Sequence, residues 1–434
     1  MRAVDTRDAY VNLILPGMIA DAKLEGRDAA FATELTHGTI RRQGTYDAVL
    51  ETVTSKGLAA VDPPVRDVLR LGTHQLLSLR TPSHAAVSTS VDLVRGQVGH
   101  KPASFVNAVL RKVSRNDLAT WMSRVAPKRD TDLLGHLATV HSHPRWIVEA
   151  LRAATGDDGA LERLLEADNA APRVTLVARA GLTDADRAEL DAAGARSGSL
   201  SPYAYELPSG MPGGLASVRE GRVGVQDEGS QLVAIAAATA ELGGADGAWL
   251  DLCAGPGGKA ALLASLAAER SATVTANEVQ PHRAELVRKA VRGLDNVTVV
   301  TGDGREPAWP AGSFDRALVD APCTGLGALR RRPEARWRRV ESDLDELTAL
   351  QRDLLANAID STRRGGVITY ATCSPHVRET RDVVSATLAR RDDVELLDAT
   401  VMLPQVAHVD GPYVQLWPHV HGTDAMFIAV LRRR

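Results

Sequence analysis

Two of the chain's three cysteines stand where a reactive thiol can act. Cys323 follows the run Phe314-Asp315-Arg316-Ala317-Leu318-Val319-Asp320-Ala321-Pro322, and Cys373 follows Gly365-Gly366-Val367-Ile368-Thr369-Tyr370-Ala371-Thr372. Each apolar run reads as a strand, so each thiol lies just past a strand end. Once deprotonated, a thiol is a strong nucleophile near neutral pH. No two cysteines form a CxxC pair, so neither a disulfide framework nor a zinc site is suggested. A single cysteine is more often a small buried hydrophobe. Two at successive strand ends favour catalysis, because neighbouring strand tips lie about 5 Å apart and can share one pocket.

The third cysteine begins a glycine-rich loop, Cys253-Ala254-Gly255-Pro256-Gly257-Gly258-Lys259, between an apolar strand ending at Asp251-Leu252 and a helix rich in Ala and Leu. Such a loop lets the backbone approach a ligand and aims a helix N-terminus at it. The spacing is too short for a Walker loop and Lys259 is followed by Ala260, which disfavours a nucleoside triphosphatase. Later strands end in Glu278, in Gly302-Asp303-Gly304 and in Asp320. An acidic residue at the second strand tip is placed to bind ribose hydroxyls, and three acidic tips around one glycine loop point to an adenosine-bearing ligand. The alternative is that each carboxylate caps the helix that follows.

These residues need a parallel sheet to position them. From Gln226 onward strand-like runs (Trp249 to Leu252, Val274 to Ala276, Val297 to Val300, Ala317 to Val319, Val367 to Tyr370, Met426 to Leu431) alternate with helical ones, which implies βαβ units. Before them, residues Arg173 to Val223 carry short β-like runs, a helical stretch from about Thr183 and several turns, suggesting a small α/β insert. The N-terminal part reads as amphipathic helices, among them Arg7 to Ala22, Asp62 to Ser78 with Asp62 as N-cap before two prolines, and Ala85 to Gln97. Pro144 is placed to open another. The expected division is 1-125 all-helical, 126-225 linker helices with the α/β insert, and 226-434 the site-bearing domain.

A chain of 434 residues with 44% hydrophobic content supports two or three packed domains. No run is long and apolar enough for a membrane helix and the first residues do not form a signal peptide, so a cytoplasmic location is expected. The net charge of -3 argues against indiscriminate coating of nucleic acid. Any RNA contact must come from local patches. One candidate is Leu329-Arg330-Arg331-Arg332-Pro333-Glu334-Ala335-Arg336-Trp337, directly after the Cys323 loop. Such a run is usually a solvated face. Beside a catalytic loop, Arg330, Arg331, Arg332 and Arg336 are expected to hold phosphates, with Trp337 stacking on a base or packing the segment down. Arg111, Lys112 and Arg115 could extend that track.

Taken together, DLCAGPGGK, ANEVQPHRAELV, GDGRE, FDRALVDAPCTGLGALRRRPEARW, VITYATCSP and LWPHVHGTDAMF resemble the RNA 5-methylcytosine methyltransferases, and within them the bacterial small-subunit rRNA methyltransferase B group. VRDVLRLGTHQLL and SFVNAVLRKV resemble the NusB-like RNA-binding domain of that subgroup, so the likeness spans nearly the whole chain. It implies a Rossmann-like class I methyltransferase domain with a mainly parallel sheet, preceded by an all-α NusB-like domain and the small α/β insert. It also implies S-adenosyl-L-methionine as cofactor, held by residues 253 to 259 with Glu278, Asp303 and Asp320. RNA, in particular small-subunit rRNA, is the expected partner of a monomer that needs neither metal nor membrane.

The resemblance assigns Cys373 as the thiolate that adds to cytosine C6, making C5 nucleophilic, and Cys323 as the thiol that assists release. Asp320 would bind the cytosine edge near N3, and Lys259 would favour a thiolate. Cys253 is read as structural within the cofactor loop. Three departures stand out: Glu278 where the family usually has Asp, Gly255 where Ala is common, and Pro375-His376-Val377-Arg378-Glu379-Thr380 where a Pro-Glu-Glu-Asn pattern often follows. The alternatives are the same chemistry on a tRNA cytosine and a non-catalytic RNA-binding factor. An amine methyltransferase is disfavoured because Asp-Ala-Pro-Cys replaces the Asn/Asp-Pro-Pro-aromatic motif.

Overall fold

The computed structural model describes residues 1–6, 9–179, 181–208, 212–306, 308–409 and 411–434. The chain divides into two compact units, Met1–Ala171 with Leu329–Arg339, and Pro172–Ala328 with Val340–Arg434. Eleven residues that follow the Cys323 loop in sequence thus belong to the first unit.

The first unit is all-helical among its described residues. Its core is built from Pro63–Leu77, Ser83–Gln97 and Ala103–Val113 together with Gln43–Val53. Apolar residues at three- and four-residue spacing, such as Val106, Val109, Leu110 and Val113, put one stripe of each helix inside. Asp62 precedes the two prolines as expected, but its side chain makes no capping bond. The helix expected from Arg7 begins at Val11; Arg7 itself lies outside the described residues.

The second unit holds two sheets. Strands β1 (Val174–Ala178), β2 (Arg196–Ser197), β3 (Ala204–Leu207) and β4 (Val223–Val225) form a small antiparallel sheet in the order β2-β3-β1-β4. Helix Asp184–Ala192 packs with it, and Thr183 and Asp186 close a reciprocal capping box at its start.

The large sheet comprises β5 (Ala248–Asp251), β6 (Thr273–Glu278), β7 (Val297–Thr301), β8 (Phe314–Asp320), β9 (Thr362–Thr372), β10 (Val394–Leu397), β11 (Val414–Gln415) and β12 (Phe427–Arg433). Its order is β10-β12-β9-β8-β5-β6-β7, with β11 paired to β12. The pairs among β7, β6, β5, β8 and β9 are parallel, and β12 runs antiparallel to β9 and β10. Near-continuous apolar strands require cover on both faces. Leu262, Leu263 and Ala234 from helices Gly258–Ala268 and Glu228–Thr239 cover one face; Leu354, Leu355, Val383 and Val384 cover the other.

The strand order reverses at β5. Chain order runs from β5 outward through β6 to β7 on one side and through β8 to β9 on the other, which opens a crevice at the carboxyl ends where ligands bind in such sheets. The glycine loop and both thiols lie at that end.

Candidate active site

The glycine loop leaves β5 and turns into helix Gly258–Ala268. Gly257 has φ +109°, and a β-carbon there would stand 2.5 Å from that of Ala290, so only glycine fits. Gly255 N–H donates to Glu278 Oε2 at 3.0 Å, which joins the loop to the acidic tip of β6. Arg283 backs this contact, its Nη2 donating to Gly255 O at 2.6 Å. Asn277 donates to Leu252 O and Gly302 O, fixing three neighbouring strand ends. Asp303 lies past β7, and its hydrogen bonds from Arg305 lower its pKa. Cys253 is kept a thiol by burial and packs against the core below the loop.

Lys259, in the first turn of the helix, donates to Asp320 Oδ2 at 2.8 Å. Burial opposes the ammonium charge, yet attraction to Asp320 and Cys373 outweighs it and raises the pKa. By reciprocity the same cation favours a thiolate at Cys373. Asp251 is fully buried beneath them, and neither carboxylate oxygen has a well-formed hydrogen bond. Burial, with the neighbouring charge of Asp320, pushes its pKa up to about 8. The Gln226 amide is also buried without a hydrogen-bond partner, beside Gly258.

Parallel pairing of β8 and β9 sets Asp320 opposite Ala371, so the chain past each strand leads to one place. The Cys323 and Cys373 sulfurs are 3.4 Å apart. The Cys323 thiol is pushed up by its hydrogen bond to Cys373 and by burial, so it keeps its proton. The structure therefore brings Cys323, Cys373, Asp320 and Lys259 together at the end that carries the glycine loop.

The arginine segment is different. Arg336 is 0% exposed and donates to the carbonyls of Arg41, Ser142 and Asp168 and to Asn169 Oδ1, at 2.7 to 3.2 Å. Trp337 packs over Gly44, where a β-carbon would meet its ring at 2.5 Å. For Arg336 a packing role within the helical unit takes the place of the expected phosphate contact, because carbonyls left over at helix ends need donors when buried, whereas Trp337 packs the segment down, one of its two expected roles. Arg332 lies 5.0 Å over the Tyr10 ring, Arg330 is buried and Arg331 half-buried.

Sequence reasoning missed Arg283, Gln226, Gln351 and Glu379. Glu379 is buried beneath the two thiol loops and accepts from Thr324 N–H at 2.8 Å. The Pro375–Thr380 departure was a signal for it, since an acidic residue persists within that segment. Among the described residues there is no cluster of three or more His, Cys, Asp or Glu able to hold a metal ion, and no helix is long and apolar enough to cross a membrane.

Comparison with known proteins places this geometry. The family described as 16S rRNA methyltransferase RsmB/F matches residues 242–432, and the NusB family matches residues 1–115. A putative methyltransferase of Mycobacterium tuberculosis is 52% identical over 100% of this chain and 94% of its own length. The probable ribosomal RNA small subunit methyltransferase B of Bacillus subtilis is 32% identical over 99% of this chain and 96% of its own. The solved structure of PH0851 superposes with a TM-score of 0.80 at 22% identity, covering 96% of this chain and 93% of that one. The chain belongs to the RsmB/F family of rRNA methyltransferases, with a Rossmann-like catalytic domain preceded by a NusB-family helical domain.

Proposed function

We propose that this protein transfers a methyl group from S-adenosyl-L-methionine to C5 of a cytosine in small-subunit rRNA, in the cytoplasm, through a covalent bond between Cys373 and C6. The observation that supports this most is the pair of sulfurs 3.4 Å apart, one protonated and one facing the Lys259 ammonium.

The crevice residues fit the methyl donor. Gly257 leaves room for close approach, Glu278 at the tip of β6 would meet the ribose, and the Asp251 carboxylate and Gln226 amide are buried polar groups short of hydrogen bonds. Residues 253 to 259, Glu278, Asp303 and Asp320 would hold it. When bound it supplies an electrophilic methyl group on a sulfonium.

The chain's own part begins at Cys373. Cytosine C5 is a poor nucleophile until a thiolate adds to C6, and Lys259 stabilises that thiolate. Asp320 is placed to bind the base edge near N3, where charge changes during addition. After methylation the C5 proton must pass to a base, so that the C5–H electrons re-form the C5–C6 double bond and expel the Cys373 sulfur; Cys323, beside Cys373, would be that base once it has given up its own proton. The exposed Arg111, Lys112 and Arg115 at the end of helix Ala103–Val113 would extend the phosphate contacts.

The test is nucleoside analysis of 16S rRNA and tRNA after incubation with the protein and labelled methyl donor, paired with bisulfite sequencing of rRNA from a strain lacking it. Label in 5-methylcytidine of 16S rRNA supports the reading. Label confined to tRNA overturns the acceptor, and no 5-methylcytidine in either overturns the chemistry.

A further inference from the structure

We propose that Glu379 is the positioning residue that holds the two catalytic thiols at their working separation; the inference rests on the roles assigned above to Cys323 and Cys373. Each thiol is followed by a hydroxyl residue, Thr324 after Cys323 and Ser374 after Cys373, and the two hydroxyl oxygens are 3.0 Å apart. Glu379 closes this link from below. Its Oε1 accepts from Thr324 N–H at 2.8 Å and from Gln351 Nε2 at 3.1 Å, and its Oε2 accepts from the Thr324 hydroxyl. Glu379 is 0% exposed.

The direction of these bonds follows from counting protons. A carboxylate only accepts, so Thr324 must spend its single hydroxyl proton on Glu379. Its oxygen then accepts from Ser374, whose own oxygen accepts from His376 N–H at 3.3 Å. The relay therefore runs from the Cys373 loop through the Cys323 loop into Glu379. Two more bonds brace it: Gln351 Nε2 donates to Pro322 O at 2.8 Å, and the Tyr370 hydroxyl donates to the Glu379 carbonyl at 2.7 Å. Gly327 N–H donates to Cys373 O at 2.8 Å, a second tie between the loops. A buried network of this kind holds one geometry only while every member is satisfied.

Glu379→Gln keeps the shape but turns one acceptor into a donor, so either Thr324 N–H loses its partner or the hydroxyl relay must reverse, with Thr324 accepting from the amide and donating to Ser374, and in both cases the charge that anchors the link is gone. Two measurements read the result. Without RNA, the rate at which the oxidant diamide converts the Cys323 and Cys373 thiols to a disulfide, followed by mass spectrometry, reports their proximity; it should fall about tenfold or more in Glu379→Gln. With RNA, kcat should fall at least about tenfold while KM for RNA and affinity for S-adenosylhomocysteine stay within about twofold. Thr324→Val removes the same link from its other side and decides the matter if Glu379→Gln does not fold. Wild-type rates of both oxidation and turnover in a folded variant overturn the proposal. If wild-type protein forms no RNA adduct, the roles of the thiols fail instead, and the oxidation rates still judge Glu379.

Discussion

A β-carbon on Gly255 would stand 2.1 Å from Oε2 of Glu278, the same oxygen that accepts from Gly255 N–H. The two positions named above as departing from the family pattern thus compete for one space: the Glu278 carboxylate occupies the volume that an alanine methyl at position 255 would take. Glu278 is buried and Arg283 Nε lies 3.8 Å from it, so it has little freedom to retreat.

Gly255→Ala alone should therefore weaken binding of S-adenosylmethionine by about tenfold, through displacement of Glu278. Glu278→Asp alone should also weaken it, by withdrawing the carboxylate from the ribose position. The double variant should recover most of the loss, with a coupling of about 1–2 kcal/mol. Calorimetric titration of the four proteins checks this, and strict additivity would sink the idea.

The sulfur pair makes a separable prediction. Cys373→Ser should abolish methyl transfer, because a hydroxyl beside Lys259 does not ionise near neutral pH. Cys323→Ser should still permit addition and methylation but stall release, leaving a protein–RNA adduct that survives a denaturing gel. Normal turnover by the Cys373 variant would overturn the assignment of roles.

The parts of this site that were legible in the sequence are those carried by long apolar runs. β5, β8 and β9 are buried on both faces, so their strands and the residues just beyond them announced themselves. β10 and β11 did not, because one carries Glu395 among four residues on an edge and the other is two residues long. What Glu379 does was illegible for another reason: the segment shows an acidic residue, but its partner Thr324 is 55 positions away, and only the pairing of β8 with β9 brings them together. Arg336 misled because a charge run on paper does not show that carbonyl oxygens of the helical unit await it.

Arg336 yields a prediction that distinguishes packing from RNA contact. Burial lowers its pKa to about 9, so it is charged at neutral pH, and it donates to four acceptors of the helical unit. Arg336→Met should destabilise the helical unit by about 3–5 kcal/mol, because the carbonyls of Arg41, Ser142 and Asp168 and the Asn169 amide oxygen lose the hydrogen bonds it donates. At a temperature where the variant remains folded, the dependence of RNA affinity on salt should match wild type. A slope reduced by about one ion would mean that Arg336 binds phosphate after all.

Asp251 predicts how stability depends on pH. Its folded-state pKa of about 8 lies far above that of a solvated carboxyl, because the ionised form is buried beside Asp320. Below about pH 4 the folded and unfolded chains both hold this proton. Between about pH 4 and pH 8 only the folded chain holds it, so the unfolded state binds fewer protons and stability falls as pH rises, by up to about 1.4 kcal/mol per pH unit. Asp251→Asn removes the titrating group while keeping its shape. In the absence of ligand, the melting temperature of the Asn variant should therefore gain on wild type steadily from pH 5 to pH 8, and the gain should level off above that. Parallel curves across the range would show that Asp251 is already ionised in the folded protein, with a partner that its buried position does not reveal.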